Sequence, residues 1–313
     1  MKIGIDMMGG DFAPKEAVRG VKQFLDSASP ETLLVLIGDQ ARVAPLIQAE
    51  GIDPSRYQLV HAPEVIDMHE HPTKALKGKP HSSINIGFQL LAREDIHAFI
   101  SAGNTGAMMV GAMYSIKAIE GVQRPTISTV LPRENGSTGL LLDVGINSDC
   151  KPENLLQFAI LGSLYAHHIL NIATPRVALL NIGEEESKGN LLVQAAYPLL
   201  RDCSKIHFTG NIEGRDIFSE KADVIVCDGF TGNVVLKMAE SIYDIASSRK
   251  INDAYMNRFN FENYGGTPVL GVAEPVIIGH GISQAPAFKS MIAVAELIVQ
   301  RRLLDKIREN FLA

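Results

Sequence analysis

Two kinds of segment carry groups that could bind an anionic substrate. The first is the sequence GEEESKG at residues 183–189, in which three carboxylates surround one ammonium group, that of Lys188. The sequence allows either a solvated charged loop or a fixed positive charge that points into a ligand crevice, where a nearby anion would favour the charged lysine. The second kind is a series of turns rich in glycine and asparagine, each following a short apolar run.

These turns combine features that proteins use to bind anions. Glycine lets backbone N–H groups approach an anion closely, and a helix that follows adds its positive N-terminal end. The predicted phosphate- or substrate-binding residues are Gly103, Thr105, Gly106, Gly229, Thr231 and Gly232, with side-chain donors on Asn104 and Asn233. A single turn glycine is usually only structural, so the series carries the prediction. Asp6 and Asp11 are expected to orient donors or to cap the first helix.

Several common sites are absent from the sequence. It contains no GxGxxG, GxxxxGK[ST], GxSxG or HExxH motif, and we predict no cofactor. His69 and His71 flank Glu70 in a proline-limited segment, and we predict no metal site there.

The 29 basic and 35 acidic side chains give a formal charge of −6, which argues against a general nucleic-acid binder. The three cysteines form no CxxC pair and indicate reduced thiols of a cytoplasmic protein.

The elements that must position these residues follow from alternation along the chain. Short runs rich in Val, Ile and Leu alternate with helical patterns, which predicts an α/β fold with a mostly parallel sheet covered on both faces. Strands are predicted at 2–6, 32–37, 97–101, 139–144, 176–182, 206–209, 223–227 and 275–278. Helices are predicted at 15–27, 41–50, 83–93, 107–120, 153–170, 191–201, 232–248 and 284–311.

The domain organisation stays open at this level. One α/β unit over 1–313 and two lobes, 1–120 with 270–313 and 121–269, both fit the pattern. The uncharged stretch 98–116 is long enough to suggest a membrane helix, but GNTG at 103–106 favours a buried strand, a turn and a helix. Ser82 and Asn190 are predicted helix caps, and Pro152 suits a first helical turn.

The strand-end sequences, taken in order, resemble one family. These are DMMGGD at 6–11, SAGNTGA at 101–107, LLLDVG at 140–145, LNIGEE and KGN within 180–190, TGN at 209–211, DGFTGN at 228–233 and NYGG at 263–266. Together they resemble the bacterial acyl-carrier-protein:phosphate acyltransferases of phospholipid synthesis. The resemblance runs from residue 1 to about residue 300.

The resemblance implies a three-layer αβα fold similar to isocitrate and isopropylmalate dehydrogenases and to phosphotransacetylase, in a homodimer. It implies transfer of a long acyl chain from acyl carrier protein to inorganic phosphate, with the acyl phosphate passing to a membrane glycerol-3-phosphate acyltransferase. It further implies a cytoplasmic enzyme, for which peripheral contact with the inner face of the membrane stays open.

That reaction needs no side-chain nucleophile, because phosphate attacks the thioester itself. Lys188, Asn104, Asn233 and His280 are the predicted catalytic residues. Lys188 would neutralise phosphate or the oxyanion, the two asparagines would donate hydrogen bonds, and His280 would protonate the departing thiolate. The acidic carrier protein would contact Lys74, Lys77 and Lys79, although closely spaced lysines of this kind are more often simply solvated.

Three alternatives remain at the level of sequence. A phosphotransacetylase-like enzyme would use acyl-coenzyme A, and an oxidoreductase of the same fold would need a metal-binding carboxylate cluster and nicotinamide contacts. A non-catalytic scaffold would bind acyl carrier protein without any phosphate-dependent loss of thioester.

Overall fold

The chain folds into two compact units. The computed structural model describes residues 1–27 and 31–312. The first unit comprises Met1–Ala118 and Phe261–Leu304, and the second comprises Ile119–Asn260 and Asp305–Ala313. The chain therefore leaves the first unit near residue 118 and returns to it near residue 261.

The strands and helices lie mostly where apolar runs and helical periodicity place them. The strands are β1 (Lys2–Asp6), β2 (Leu33–Gly38), β3 (Tyr57–His61), β4 (Ala98–Ser101), β5 (Thr126–Pro132), β6 (Thr138–Leu142), β7 (Arg176–Asn181), β8 (His207–Glu213), β9 (Val224–Val226), β10 (Thr267–Leu270) and β11 (Val276–Ile278). The helices are α1 (Lys15–Leu25), α2 (Gln40–Ala49), α3 (Pro72–Gly78), α4 (Ser83–Ala92), α5 (Thr105–Gly111), α6 (Pro152–His168), α7 (Leu191–Arg201), α8 (Gly229–Ser248), α9 (Ala285–Gln300) and α10 (Leu303–Leu312).

In the first unit the strands follow the order β3-β2-β1-β4-β11-β10. All neighbouring pairs from β3 to β11 are parallel, and β10 pairs antiparallel with β11. The carboxyl ends of β1, β4 and β11 therefore meet at one edge of the sheet. The turns that follow these three strands are the ones for which the sequence predicts ligand binding.

The second unit repeats this arrangement with the order β5-β6-β9-β7-β8. Strands β6, β9, β7 and β8 are parallel, while β5 pairs antiparallel with β6. The turns after β6, β7 and β9 consequently lie at one edge of this sheet. They carry the loop at 143–147, the segment 182–190 and the start of α8.

Apolar side chains of the strands and of the helices that pack on them form the core of each unit. In the first unit the ring of Phe99 on β4 meets that of Phe88 on α4 edge to face, with ring centres 5.2 Å apart. In the second unit, Leu141, Leu179 and Val226 are completely buried. Continuous apolar strands of this kind are typical of parallel sheets covered on both faces, as predicted.

The local signals for helix ends are confirmed. The Ser82 side chain accepts from the backbone of Asn85, Asn190 does the same for Val193, and Pro152 opens α6. The stretch 98–116 is strand β4, a turn and a helical segment, as predicted. The helix predicted at 107–120 is shorter, however: α5 ends at Gly111, a π-helix (Ala112–Ile116) follows, and Lys117 with a φ of 70° ends it. No helix in the described part of the chain combines the length and the apolar character needed to cross a membrane.

The single helix predicted at 284–311 is wrong. The chain forms α9 and α10 instead, separated at Arg301 and Arg302, and Arg302 has a φ of 52°. A left-handed residue ends the regular hydrogen bonding of a helix, and the apolar pattern on both sides conceals the break.

Candidate functional site

The edge of the first unit's sheet at which β1, β4 and β11 end is called the ligand edge. A buried carboxylate, that of Asp6 at the end of β1, lies there. Its Oδ1 accepts from the backbone N–H of Met8 at 2.9 Å, and its Oδ2 accepts from the Ser101 hydroxyl at 2.6 Å. The Ser101 oxygen in turn accepts from the N–H of Gly103 at 2.9 Å. Asp6 therefore orients the turns after β1 and β4, the role expected from the sequence.

Burial raises the pKa of Asp6 above its ordinary range, although the hydrogen bonds from Ser101 and Met8 lower it. Burial likewise raises the pKa of Asp143 at the corresponding position of the second unit, against bonds donated by Asn147. A carboxyl group with a raised folded pKa keeps its proton longer in the folded chain than in the unfolded chain. Its contribution to stability is complete below the unfolded pKa and is lost as pH rises through the folded pKa.

We therefore expect the unfolding free energy of the Asp6→Asn variant to rise relative to that of the unchanged protein as pH increases from about 4. The unfolding free energies of both proteins are measured by urea denaturation at a series of pH values. Asp143→Asn should show the same sign. A difference between Asp6→Asn and the unchanged protein that is constant with pH, or that moves the other way, would contradict the raised pKa.

Asn104 follows β4 and is 5% exposed. Its Nδ2 donates to the backbone carbonyls of Asp67, Met68 and Glu70 at 3.0–3.1 Å. Its Oδ1 accepts from the N–H of Ala107 at 2.9 Å and thereby caps α5. Every polar atom of this side chain is already bonded within the protein. Asn104 is therefore a positioning residue and not a hydrogen-bond donor to substrate.

The other residues predicted in this turn differ in whether their backbone N–H groups already donate within the protein. The N–H of Gly103 is bonded to Ser101, whereas the N–H groups of Thr105 and Gly106 have no acceptor within residues 1–27 and 31–312. His280 is half-buried in the turn after β11, the neighbouring strand, and its carbonyl accepts from the N–H of Ser283. The parallel sheet thus brings the His280 turn to the same edge as Thr105 and Gly106.

The predicted carrier-protein contact lies on α3 and just beyond it. Lys74 and Lys77 are exposed, one helical turn apart. Lys79 instead donates to the carbonyl of Val65 and to the carboxylate of Glu70, both at 2.6 Å. The hydrogen bond from Lys79 lowers the pKa of Glu70. Of the three lysines, therefore, Lys74 and Lys77 present the more accessible charges.

In the second unit the buried carboxylate of Asp143 organises the loop at 143–147. It accepts from the N–H groups of Gly145, Ile146 and Asn147 at 2.7–3.3 Å, and from Nδ2 of Asn147 at 2.7 Å. The Asn147 carbonyl then accepts from the N–H of Gly229 at 2.7 Å. Asp143 consequently fixes the loop against the first turn of α8.

The first turn of α8 uses several of the groups predicted to bind an anion. Gly229 donates to the loop, and the N–H and hydroxyl of Thr231 both donate to the Asp228 carboxylate, at 2.9 and 2.8 Å. Asn233 is exposed, and its Nδ2 donates to the carbonyl of Val144 at 3.3 Å. A Cβ at Gly232 would lie 1.8 Å from the carbonyl oxygen of Asp143, so Gly232 permits close packing of helix and loop.

The thiols near this loop are not reactive nucleophiles. Burial, with the nearby charge of Asp143 as the next cause, raises the pKa of Cys150 to about 11. Burial, followed by the nearby charges of Asp228 and Asp143, raises the pKa of Cys227 well above its usual range. Both groups therefore remain thiols at neutral pH, whereas attack requires the thiolate.

The segment 182–190, between β7 and α7, is held by amide side chains from three elements. Nδ2 of Asn181 on β7 donates to the carbonyl of Lys188, and Nδ2 of Asn211 on β8 donates to that of Glu185. Nε2 of Gln194 on α7 donates to the carbonyls of Ser187 and Gly189. These bonds, 3.0–3.1 Å long, fix the backbone on both sides of Lys188.

The charges of this segment are also partly accounted for. Glu184 pairs with Lys221 at 2.7 Å, and Glu186 pairs with Arg201 at 2.8 Å. Lys188 is exposed, and no carboxylate of the described residues lies within ion-pair distance of its Nζ. The loop therefore presents an ammonium group on a fixed backbone, with two of its three glutamates neutralised by other cations.

No group of three or more His, Cys, Asp or Glu side chains in the described parts of the chain is arranged to hold a metal ion. The structure does not bring His69 and His71 into such a group.

Comparison with known proteins places this geometry in a family. The model of the fatty acid synthesis protein family matches residues 1–306. Phosphate acyltransferase from Dictyoglomus turgidum is 42% identical over 99% of this chain and 97% of its own length. The chain belongs to the phosphate acyltransferase family. The protein of the same name from Heliobacterium modesticaldum is 44% identical, with the same coverage.

Solved structures identify the fold as that of phosphotransacetylases, a three-layer αβα arrangement. A phosphotransacetylase from Streptococcus pyogenes superimposes with a TM-score of 0.66 at 20% identity, covering 96% of this chain and 94% of that chain. The phosphotransacetylase EutD from Staphylococcus aureus gives a TM-score of 0.63 at 17% identity, covering 95% and 94%. The predicted family and fold are thus confirmed.

The sequence prediction does not include Asp143, the residue that organises the loop of the second unit, except within the motif LLLDVG. It includes Asn104, but as a donor to substrate. For Asp143 the sequence signal is an Asp directly after the buried strand β6, where such side chains bond to backbone groups of the following turn.

Proposed function

We propose that the chain transfers a long-chain fatty acyl group from acyl carrier protein to inorganic phosphate, forming acyl phosphate for phospholipid synthesis. The observation that carries this proposal is the fixed loop around Lys188, which presents a positive charge suited to an anionic nucleophile. Membership of the phosphate acyltransferase family supports it. Phosphate attacks the thioester directly, so no acyl-enzyme forms.

The proposed chemistry balances without a cofactor. A phosphate oxygen forms a bond to the thioester carbonyl carbon, and the resulting tetrahedral oxyanion collapses with cleavage of the carbon–sulfur bond. Lys188 neutralises phosphate or the oxyanion, and the open N–H groups of Thr105 and Gly106 are proposed oxyanion donors. His280 gives its proton to the departing thiolate.

The start of α8 has a supporting part in this proposal. Asn233 is exposed beside the 143–147 loop. Its Nδ2 makes one hydrogen bond of 3.3 Å, to the carbonyl of Val144, so the second N–H of this amide is the proposed donor to substrate. Gly229, Thr231 and Gly232 hold the helix start in place through the bonds and close packing described above. The unreactive state of Cys150 and Cys227 agrees with direct attack by phosphate.

The test compares acyl donors in the presence and absence of phosphate. We expect phosphate-dependent loss of thioester from a long-chain acyl carrier protein, with acyl phosphate detected by phosphorus NMR. Faster reaction with acetyl-coenzyme A would favour the phosphotransacetylase-like alternative. Binding of carrier protein without any loss of thioester would favour the non-catalytic scaffold, and a nicotinamide absorbance change would favour the oxidoreductase.

The proposed carrier-protein contact can be tested on α3. Reversing both exposed charges, Lys74→Glu with Lys77→Glu, should raise the KM for the acidic acyl carrier protein several-fold and leave the KM for phosphate unchanged, because only the carrier meets this helix. Lys289→Glu, at an exposed lysine on α9, is the matched control. An unchanged KM for the carrier protein would remove α3 from the proposal.

A homodimer is proposed from the surface of α8. Phe230, Val234, Met238, Ile242 and Ile245 are exposed at spacings of three and four residues and form an apolar stripe. A second copy would cover this stripe, and Met238→Glu should then lower the mass measured in solution to that of a monomer.

The enzyme works in the cytoplasm and supplies acyl phosphate to a membrane glycerol-3-phosphate acyltransferase.

A further inference from the structure

The ligand edge of the first unit carries three exposed apolar side chains. Phe12 follows the turn after β1, Ile282 follows the turn after β11, and Met68 lies in the segment that Asn104 holds. They are 47%, 47% and 36% exposed. Single exposed apolar residues are ordinary, but a group of them beside a polar site indicates a binding surface.

These three residues come from separate loops that meet at Gly281. The N–H of Asp11 donates to the carbonyl of Gly281 at 2.8 Å, which joins the turn of Phe12 to that of Ile282. A Cβ at Gly281 would lie 2.9 Å from the Cε methyl group of Met68. The Phe12–Met68–Ile282 cluster thus consists of three exposed apolar residues on loops that meet at Gly281, with the exposed carboxylate of Asp11 beside the same glycine.

The cluster is tied to the turn that carries the proposed oxyanion donors. The Met68 carbonyl accepts from Nδ2 of Asn104 at 3.1 Å, and Asn104 directly precedes Thr105 and Gly106. In a fatty acyl thioester the apolar chain begins at the carbonyl carbon. A surface for that chain must consequently adjoin the groups that bind the carbonyl oxygen.

We propose that the Phe12–Met68–Ile282 cluster binds the apolar chain of the fatty acyl donor and sets the preference for chain length. This inference rests on the proposed function. A second copy of the protein is better suited to the longer stripe on α8, where regular helical spacing offers an extended face. Three apolar residues on loops that meet at one glycine instead offer a small apolar contact near the turn of Thr105 and Gly106.

The experiment compares chain lengths in Phe12→Ala, Met68→Ala and Ile282→Ala. The ratio of kcat/KM for palmitoyl over butyryl carrier protein should fall about tenfold, the size expected when one large apolar contact is lost. The KM for phosphate should not change. Tyr114→Ala, at an exposed side chain of the same unit outside these turns, is the control and should keep the ratio.

A second measurement separates this inference from the proposed function. Equilibrium binding of a palmitoyl pantetheine thioester is measured without phosphate, and the same three variants should bind it about tenfold more weakly than the unchanged protein does. If the unchanged protein transfers no acyl group to phosphate, the proposed function fails whether or not the thioester binds.

Three outcomes overturn the inference itself. One is an equal fall in kcat/KM for palmitoyl and butyryl donors, which would show a general effect on the turn. Another is an unchanged kcat/KM for the palmitoyl donor in all three variants. The last is an unchanged chain-length ratio with reduced binding to phospholipid vesicles or reduced mass in solution, which would assign the cluster to a membrane or to a second copy.

Discussion

Replacing Lys188 by alanine should lower kcat for acyl phosphate formation by about 10²–10³, the usual effect of removing one preorganised group that stabilises developing charge. The backbone of its loop is fixed by Asn181, Asn211 and Gln194, none of which contacts the Lys188 side chain through the bonds described. The variant should therefore keep the loop and lose only the ammonium group. Steady-state rates with saturating phosphate and acyl carrier protein measure the effect.

Two further variants make this result specific. Lys188→Arg keeps a positive charge and should lose less activity than Lys188→Ala. Lys205→Ala removes an exposed lysine of the same unit, whose Nζ donates to the carbonyl of Asn310 far along the chain, and should leave the rate unchanged. If Lys188→Ala stays within about threefold of the unchanged protein, the neutralising role is lost.

The largest effect on stability is expected from Gly232→Ala. Its Cβ would lie 1.8 Å from the carbonyl oxygen of Asp143 and 3.0 Å from the sulfur of Cys227. The nearer atom belongs to the backbone of a loop that is fixed by hydrogen bonds, so it cannot move as a side chain would. We expect the unfolding free energy to fall by about 3 kcal/mol, the upper end of overpacking costs.

Urea denaturation measures this loss, and Gly214→Ala in the same unit is its control. No atom lies within 4 Å of a Cβ at Gly214, so its substitution should change the unfolding free energy by no more than about 0.5 kcal/mol. Equal effects at the two positions would show that α8 and the 143–147 loop separate easily. In that case the loop could not hold Asn233 in place for substrate.

The sequence predicts the elements whose signal is local. The apolar runs at β1, β2 and β7, and the caps at Ser82 and Asn190, could be read without tertiary information. The sequence does not predict β10, because Pro268 interrupts it, or β3, because its sequence YQLVH is not a continuous apolar run and none of its residues is fully buried. Proline cannot donate to a sheet, and β10 forms because β11, which begins after residues 271–275, supplies an antiparallel partner.

The candidate site, like the fold, could be predicted only where the signal is local in the sequence. The location of the turns at strand ends follows from the α/β pattern, and so does the orienting role of Asp6. The role of Asn104 could not be predicted, because its bonding partners come from residues 67–70, more than thirty positions earlier. Likewise, the ion pairs that occupy Glu184 and Glu186 involve Lys221 and Arg201, whose proximity only the folded chain creates.

The divided first unit has a consequence for biosynthesis. Strand β11 lies between β4 and β10 in that sheet, yet it follows the whole segment 119–260 in the chain. During translation, one edge of β4 therefore stays without its partner until residues 276–278 leave the ribosome, whereas the strands of the second unit have already emerged. An unpaired edge strand is a template for association with other chains. Slow synthesis between residues 119 and 275 should thus favour aggregation of nascent chains, and a chaperone that shields β4 during this interval should prevent it.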